Sequence, residues 1–509
     1  MDHFWFDEAG LACEGLSRQY VLSRSEGQIP RGWARHRQRG WTLGVSNLPV
    51  ASVENRFGEV LGWCVGYPLV AGGSRPSTVV LDTAHTNVIE SESINRFYET
   101  VAGRWVLIVL ARKEERLYLD PYGSLGTVYR RTEPTVASTP TLLGSEHSWD
   151  YGLINALGMP ESGLWFPGTL TARVGVRRLL PNHALDLIEW HAARHWPRDL
   201  HDLAVSAHVP DTVNTIAASL KSLVSLVVAH VPTYLTLTGG RDTRMLLACA
   251  KAHLPDISFF TLRDGNTVTV DTHLATKLAR RHALDHFFLR VRYATRQEQR
   301  DWLSLTGHAV SGDIWRIHKT LEGLETGRAL LPGIGGEVGR AFYWRDGDAP
   351  HARLMPFDLL ERSGMPSEAA LVGDIETWLT GLAGLTALDV LDLYYLEHRL
   401  GGWAAPAHYG NLTSLFELSP FNQRAVFASM LKLPYEYRWN KQLSTDICRS
   451  EWPALLALPF NEFTGSRRVF QSAVARGKDA LYPAARPVKR RLGALLKRAR
   501  LRMTRGVRP

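Results

Sequence analysis

The chain reads as an α/β protein in two parts, and three observations carry that reading. Residues 1 to about 200 set short apolar strands between turns every ten or so residues, the pattern of stacked antiparallel sheets. From Tyr234 onward strands alternate with amphipathic helices, the pattern of a parallel sheet with ligands at its strand C-terminal ends. At the start of that second part, Leu237-Thr238-Gly239-Gly240-Arg241-Asp242-Thr243 ends a buried strand in a glycine turn and opens a helix.

In the first part, 57–70 and 104–110 are strand-like, and 116–120 alternates before the turn Pro121-Tyr122-Gly123. Further strand segments are expected at 127–131, 134–143 and 184–188. A linker over 197–210 leads to a helix with Val213, Ile216, Leu220, Leu223, Val224 and Val227 at helical spacing, closed by Pro232. After the glycine turn and its helix come an apolar strand at 257–262, a helix opened by Thr269-Val270-Asp271, and a third strand at 286–291. A further apolar strand at 330–331 runs into Pro332-Gly333-Ile334-Gly335-Gly336-Glu337. Residues 350 to 475 are mostly helical, with strong apolar periodicity over 388–400.

A chain of 509 residues exceeds one ordinary core, so two or three domains are expected. No uninterrupted apolar run of about 18 residues predicts a membrane span, and the first residues lack a secretory pattern. The four cysteines, Cys13, Cys64, Cys249 and Cys448, are far apart and show no metal or thiol-relay spacing, as expected of a cytoplasmic protein. The net charge of +9 is concentrated: Arg486 to Arg508 carries ten Lys/Arg and no acid, leaving the remainder near neutral. That tail interleaves Leu492, Leu495, Leu496 and Leu501 with its basic residues. An amphipathic helix on a membrane surface or partner fits it, and so does a solvated end.

The chemistry concentrates in the two glycine loops. A glycine turn opening a helix aims backbone N–H groups and the positive helix end at one spot, which favours an anion the size of phosphate. The loop is not a Walker A sequence, since no Gly-Lys-Ser/Thr end is present. Asp242 beside phosphate calls for a cation, and Mg²⁺ takes one or two carboxylates with phosphate oxygens. Gly333 to Glu337 is a second backbone nest with an acid at its rim, so Asp242 and Glu337 are candidate ligands of one Mg²⁺. An ordinary strand–turn–helix corner would account for either loop alone.

Taken together, Thr238-Gly239-Gly240-Arg241-Asp242-Thr243 resembles the Ser-Gly-Gly-x-Asp-Ser loop of the ATP pyrophosphatase (PP-loop) superfamily, with threonines for both serines. Gly333 to Tyr343 is similar to the Ser-Gly-Glu-Gly-Ser-Asp-Glu loop of asparagine synthetases; Glu337 falls on the metal-ligand Asp and Gly333 on a nucleotide-contacting glycine. Ile334 stands where that family has its catalytic Glu. Lys441, after Ser419-Pro420-Phe421 and Pro434, occupies the place of a lysine that returns over the nucleotide in asparagine and β-lactam synthetases; a solvent-facing lysine is the plainer reading. Asp271 matches an acidic position of the family, and a helix N-cap would equally explain it. Over most of residues 50–200, Gly103-Arg104-Trp105, Leu117 to Gly123, Val128-Tyr129-Arg130 and Arg178 to His183 resemble a class II glutamine amidotransferase domain. That domain uses an N-terminal cysteine, whereas position 2 is Asp2 and Cys13 lies inside the chain.

The resemblance implies an Ntn-type αββα sandwich over 1–200, a PP-loop ATP pyrophosphatase domain over 201–480, and a basic tail over 481–509. It implies ATP and Mg²⁺ as cofactors, with Leu237, Thr238, Gly239, Gly240, Asp242, Thr243, Thr261 and Gly333 around the nucleotide. It assigns catalytic roles to Lys441, Glu337 and Asp242. The expected activity is ATP-dependent amide formation through an acyl-adenylate. Its partner is a small-molecule or peptide substrate carrying both carboxylate and amine, as in β-lactam synthetases and lasso-peptide macrolactam cyclases. Asparagine synthetase-like amidation with ammonia, a tRNA-modifying PP-loop enzyme and an inactive scaffold are the other readings; the sequence carries no strong nucleic-acid signal beyond its tail.

Overall fold

Alternation of side chains across extended strands builds the first half as two stacked sheets. The computed structural model describes residues 16–70, 76–83, 88–143, 149–310, 320–410 and 415–464. Asp2, Cys13 and the basic tail from Arg486 to Arg508 lie outside the described residues. The molecule is mixed α/β, with two compact units, Met1–Ala457 and Leu458–Pro509. Of the second unit, residues 458–464 are described and follow bends and irregular backbone.

The first sheet joins β1 (Gln19–Ser23), β2 (Ala34–Gln38), β3 (Trp41–Ser46), β9 (Val128–Arg130), β10 (Thr135–Ala137) and β11 (Arg177–Arg178) in the order β11-β9-β10-β1-β3-β2, antiparallel throughout. The second runs β13-β12-β8-β7-β5-β4-β6. Its strands are β4 (Val50–Asn55), β5 (Val60–Val70), β6 (Thr78–Leu81), β7 (Val101–Leu110), β8 (Glu115–Leu119), β12 (His183–Asp186) and β13 (His191–Arg194). Tyr20 and Leu22 of β1 and Leu43 and Val45 of β3 pack on Trp63 and Val65 of β5 and Val106, Ile108 and Leu110 of β7. The intervening residues of β7, Trp105, Leu107 and Val109, face Ile94, Phe97 and Tyr98 of α1 (Ser91–Thr100). Strand β7 is buried on both faces, which is why it reads as an unbroken apolar run. The expected strands at 57–70, 104–110, 116–120, 127–131 and 184–188 coincide with strands here; of 134–143 only Thr135–Ala137 is strand and Pro140–Leu143 is a 3-10 turn, and α1 carried no expectation.

The second half is organised by an all-parallel sheet of order β16-β15-β14-β17-β18. Its strands are β14 (Thr233–Thr236), β15 (Ile257–Arg263), β16 (His286–Arg290), β17 (Ala329–Leu331) and β18 (Phe416–Glu417). From β14 the chain moves outward through α4 (Arg241–Cys249), β15 and α5 (Val270–His282) to β16, then returns to the other side of β14 as β17. The sheet order therefore reverses between β14 and β17, the place where α/β sheets open a crevice at their strand ends. Helix α3 (Val209–Val228) is long and apolar enough to cross a membrane, but Val213, Ile216, Leu220, Leu223, Val224 and Val227 are buried within the unit, as in a core helix.

Buried polar bonds tie the sandwich to the second half. Asn422 Nδ2 donates to Gly103 O at 2.9 Å and to Asp120 Oδ1 at 2.8 Å, and its Oδ1 accepts from Tyr122 N at 3.2 Å. Asp120 also accepts from Trp105 N, Ser124 N and Ser124 Oγ; burial still pushes its carboxyl above the usual range. Arg194 forks onto Glu397 at 2.6 and 2.7 Å, and Glu397 also accepts from Asn182 Nδ2 and Trp378 Nε1. Asn422→Ala leaves the Gly103 carbonyl and the Tyr122 amide without this partner, so a loss of about 2–4 kcal/mol is expected in denaturant unfolding. Asn422→Asp, which sets a second carboxylate against Asp120, is expected to cost more than Asn422→Ala.

Candidate functional site

Both glycine loops leave the sheet beside the reversal, one after β14 and one after β17. In the first, Thr261 Oγ1 donates to Leu237 O at 2.5 Å and pairs with His286 Nε2 at 2.9 Å, so this threonine braces the end of β14 from β15. Thr238 and Thr243 hydroxyls pair at 2.8 Å across the turn, and Gly240 N donates to Thr238 Oγ1 at 3.0 Å. Gly239 N donates to Asp271 Oδ1 at 2.8 Å. Two amides expected to face an oxyanion are thus bonded to the chain's own side chains. The N-cap of α5 is Thr269, whose hydroxyl accepts from Thr272 N, so Asp271 is not the cap; it anchors the turn of Gly239. A Cβ on Gly239 would lie 2.6 Å from Leu274 Cδ1, so a larger residue there would have to displace that buried side chain.

The second loop lies directly on the first turn of α4. A Cβ on Gly333 would meet Thr243 Cγ2 at 2.9 Å, and one on Gly336 would meet Asp242 Oδ1 at 2.6 Å. Only glycines at these two positions let the loops touch, and that contact brings Asp242 and Glu337 together. Glu337 Oε2 accepts from Gly335 N at 3.0 Å, and Ser419 Oγ donates to Ile334 O at 2.5 Å.

A guanidinium bridges the two acids. Arg340 Nε donates to Asp242 Oδ1 at 3.2 Å and Nη2 to Asp242 Oδ2 at 2.8 Å, while Nη2 lies 3.3 Å from Glu337 Oε1. Burial and the Asp242 carboxylate push Glu337 up to about 7 against the opposing pull of Arg340, and the two acids hold Arg340 charged beyond its ordinary range. The expected Mg²⁺ would occupy this same space. Among the described residues no group of three or more His, Cys, Asp or Glu side chains could hold a metal ion. Magnesium needs oxygens near 2.1 Å in an octahedron, and a guanidinium hydrogen-bonded to one carboxylate and ion-paired with the other takes that space. As arranged, these side chains fit a guanidinium and not a resident divalent ion.

Lys441 begins the helix Gln442–Glu451 in left-handed backbone, φ +55°, with its side chain exposed. Its carbonyl accepts from Arg241 Nη1 at 3.4 Å, and the same nitrogen donates to Ser444 Oγ at 2.9 Å, so Arg241 ties the first loop to the Lys441 segment. Arg244 is fully buried beneath the turn, its Nη2 3.5 Å from Gly239 O, and burial lowers its guanidinium to about 10. Tyr343 is buried between the rings of Phe342, Tyr394 and Tyr395, which pushes its hydroxyl up to about 12. Tyr395 joins the site as a hydrogen-bond partner of Glu337. Sequence reasoning assigned no role to Arg340 or Tyr395; the one available signal was Arg340 lying three residues after Glu337.

A separate cavity of about 350 Å³ opens on the sandwich, lined by Arg116, Tyr118, His191, Arg194, His195 and others, and shares no residue with the loops. No protein-family model matches the chain, and no curated protein matches it either.

The loop contact makes one of its glycines costly to replace. Gly336→Ala forces Cβ against Asp242 and is expected to cost about 1–3 kcal/mol in unfolding, as overpacked cores do. Gly373→Ala, on an open face of the helix Ala369–Thr380, should instead stabilise by about 0.5–1 kcal/mol. Glu337 also imposes a pH slope. Its folded pKa is raised, so its proton favours the folded state, and stability falls as pH rises from 4.5 through about 7. Glu337→Gln should flatten that part of a stability-versus-pH profile and gain most above pH 7.

Proposed function

We propose that the chain is an ATP-dependent amide ligase that works through an acyl-adenylate. One observation supports this above the others: Gly333 and Gly336 seat the second loop on Asp242 and Thr243, at the reversal between β14 and β17. Two glycine loops leave neighbouring parallel strands at the reversal, where α/β sheets take their ligands, and the N-terminus of α4, which favours an anion, lies beside them. Gly240 caps α4 without a side chain, leaving that helix end uncovered by a capping group.

In this reading a substrate carboxylate oxygen attacks the α-phosphorus of ATP, the bond to the bridging oxygen breaks, and pyrophosphate leaves with the electron pair. An amine then attacks the acyl carbon, loses a proton and expels AMP. The chain's own cations oppose the charge that develops: Arg340 at the loop contact, and Lys441 from the segment that Arg241 holds beside α4. In the favoured form of this reading the amine comes with the substrate, as in a macrolactam-type ligase on peptides or specialised products; amidation with ammonia is the alternative.

Ile334 at the family's Glu position and the Arg340 bridge favour one other reading, an inactive scaffold. Pyrophosphate–ATP exchange separates the two. The ligase exchanges labelled pyrophosphate into ATP in the presence of its carboxylate substrate, and Lys441→Ala lowers the rate by about 100-fold or more. The scaffold shows no calorimetric ATP binding at all.

A further inference from the structure

Arg340 is a full side chain placed where the loop pattern calls for a metal ion. Three of its five N–H groups face the acids: Nε–H on Asp242 Oδ1, and the Nη2 hydrogens toward Asp242 Oδ2 and Glu337 Oε1. The Nη1 edge has no partner among the described residues, and about a quarter of the side chain is exposed, at 26%. A guanidinium is planar, always charged, and carries its donors in a fork that matches carboxylate on one edge and phosphate on another. To open the space to a divalent ion, Arg340 would have to abandon three charge-assisted contacts, and two cations cannot share it.

We propose that Arg340 is the resident cation of this site, standing in place of a divalent metal between Asp242 and Glu337 and binding the pyrophosphate portion of the substrate through its Nη1 edge. The inference rests on the nucleotide-site reading above, which supplies the phosphate. It also makes a claim independent of that reading: the carboxylate pair is closed to metal while Arg340 is present. Asp242 and Glu337 then serve to fix the guanidinium plane, so they are positioning residues and Arg340 is the group that touches substrate.

Two measurements on the full-length chain test this. The first is titration calorimetry with inorganic pyrophosphate, in EDTA and in excess Mg²⁺. The expected result is binding in both buffers with affinities within about threefold of each other, and a loss of about tenfold or more in Arg340→Lys, which keeps the charge and loses the fork. The second is electron paramagnetic resonance with Mn²⁺ alone. The wild-type chain should bind no Mn²⁺ at this site; Arg340→Met should gain a site, and the Arg340→Met/Asp242→Asn double variant should lose it again. Thermal melts establish that each variant is folded, and the neutral Arg340→Gln serves if Arg340→Met is not.

Pyrophosphate binding that requires Mg²⁺ and is unchanged in Arg340→Lys overturns the proposal while leaving the nucleotide reading in place. Mn²⁺ binding by the wild-type chain that Asp242→Asn abolishes also overturns it. Absence of pyrophosphate binding in either buffer overturns the nucleotide reading, and the proposal with it.

Discussion

Two carboxylates held side by side and mostly out of water repel each other unless a positive charge lies between them. Asp242 and Glu337 meet that condition through Arg340, and much of the second half is arranged around their meeting. The sheet order sets β14 beside β17, so the loops that follow these strands end side by side. Gly333 and Gly336 remove the side chains that would keep the loops apart. Asp271 from α5 and the Thr238–Thr243 pair then fix the first turn, and Arg241 reaches out to hold the segment that begins at Lys441.

The same logic, charge buried only with its complement, recurs away from the loops. Arg438 is fully buried between Asp389 and Asp392 and lies over the rings of Trp344 and Tyr435; burial, opposed by Arg438, pushes Asp392 up to about 7. Glu397 is equally buried and is kept below the usual carboxylate range by Arg194 despite its desolvation. Because Arg194 belongs to the sandwich and Glu397 to the helical part, this pair couples the two halves. Asn422 does so as well, from a position just after the Ser419 that braces Ile334. Removing one partner of such a pair costs more than the pair contributes, since the other charge stays buried. The glycine loops therefore rest on a frame whose halves are bonded through their interiors.

Much of the fold was legible in the sequence because its signals are local. Strand-like apolar stretches marked β5 and β7, alternation marked β8, helical spacing marked α3, and strand–helix alternation marked the parallel sheet. Helix α1 was not legible: its apolar face is only Ile94, Phe97 and Tyr98, and that face becomes meaningful only against Trp105 and Leu107 of β7. At the site, the glycine loops and both acids stood out by residue type and spacing. Asp271 read as a helix cap, because a carboxylate at a helix start gives the same local pattern whether it caps its own helix or reaches a glycine 32 residues earlier.

By itself the sequence determined the two kinds of sheet, the two glycine loops and the acid carried by each, since strand period, turn chemistry and charge are written over a few neighbouring residues. Only the tertiary structure decided what lies between those acids. The distance from Asp242 to Arg340 is set by sheet order and by the absence of two Cβ atoms, not by spacing along the chain. A cation site inferred from carboxylates alone leaves its cation unnamed; here the fold supplies an arginine.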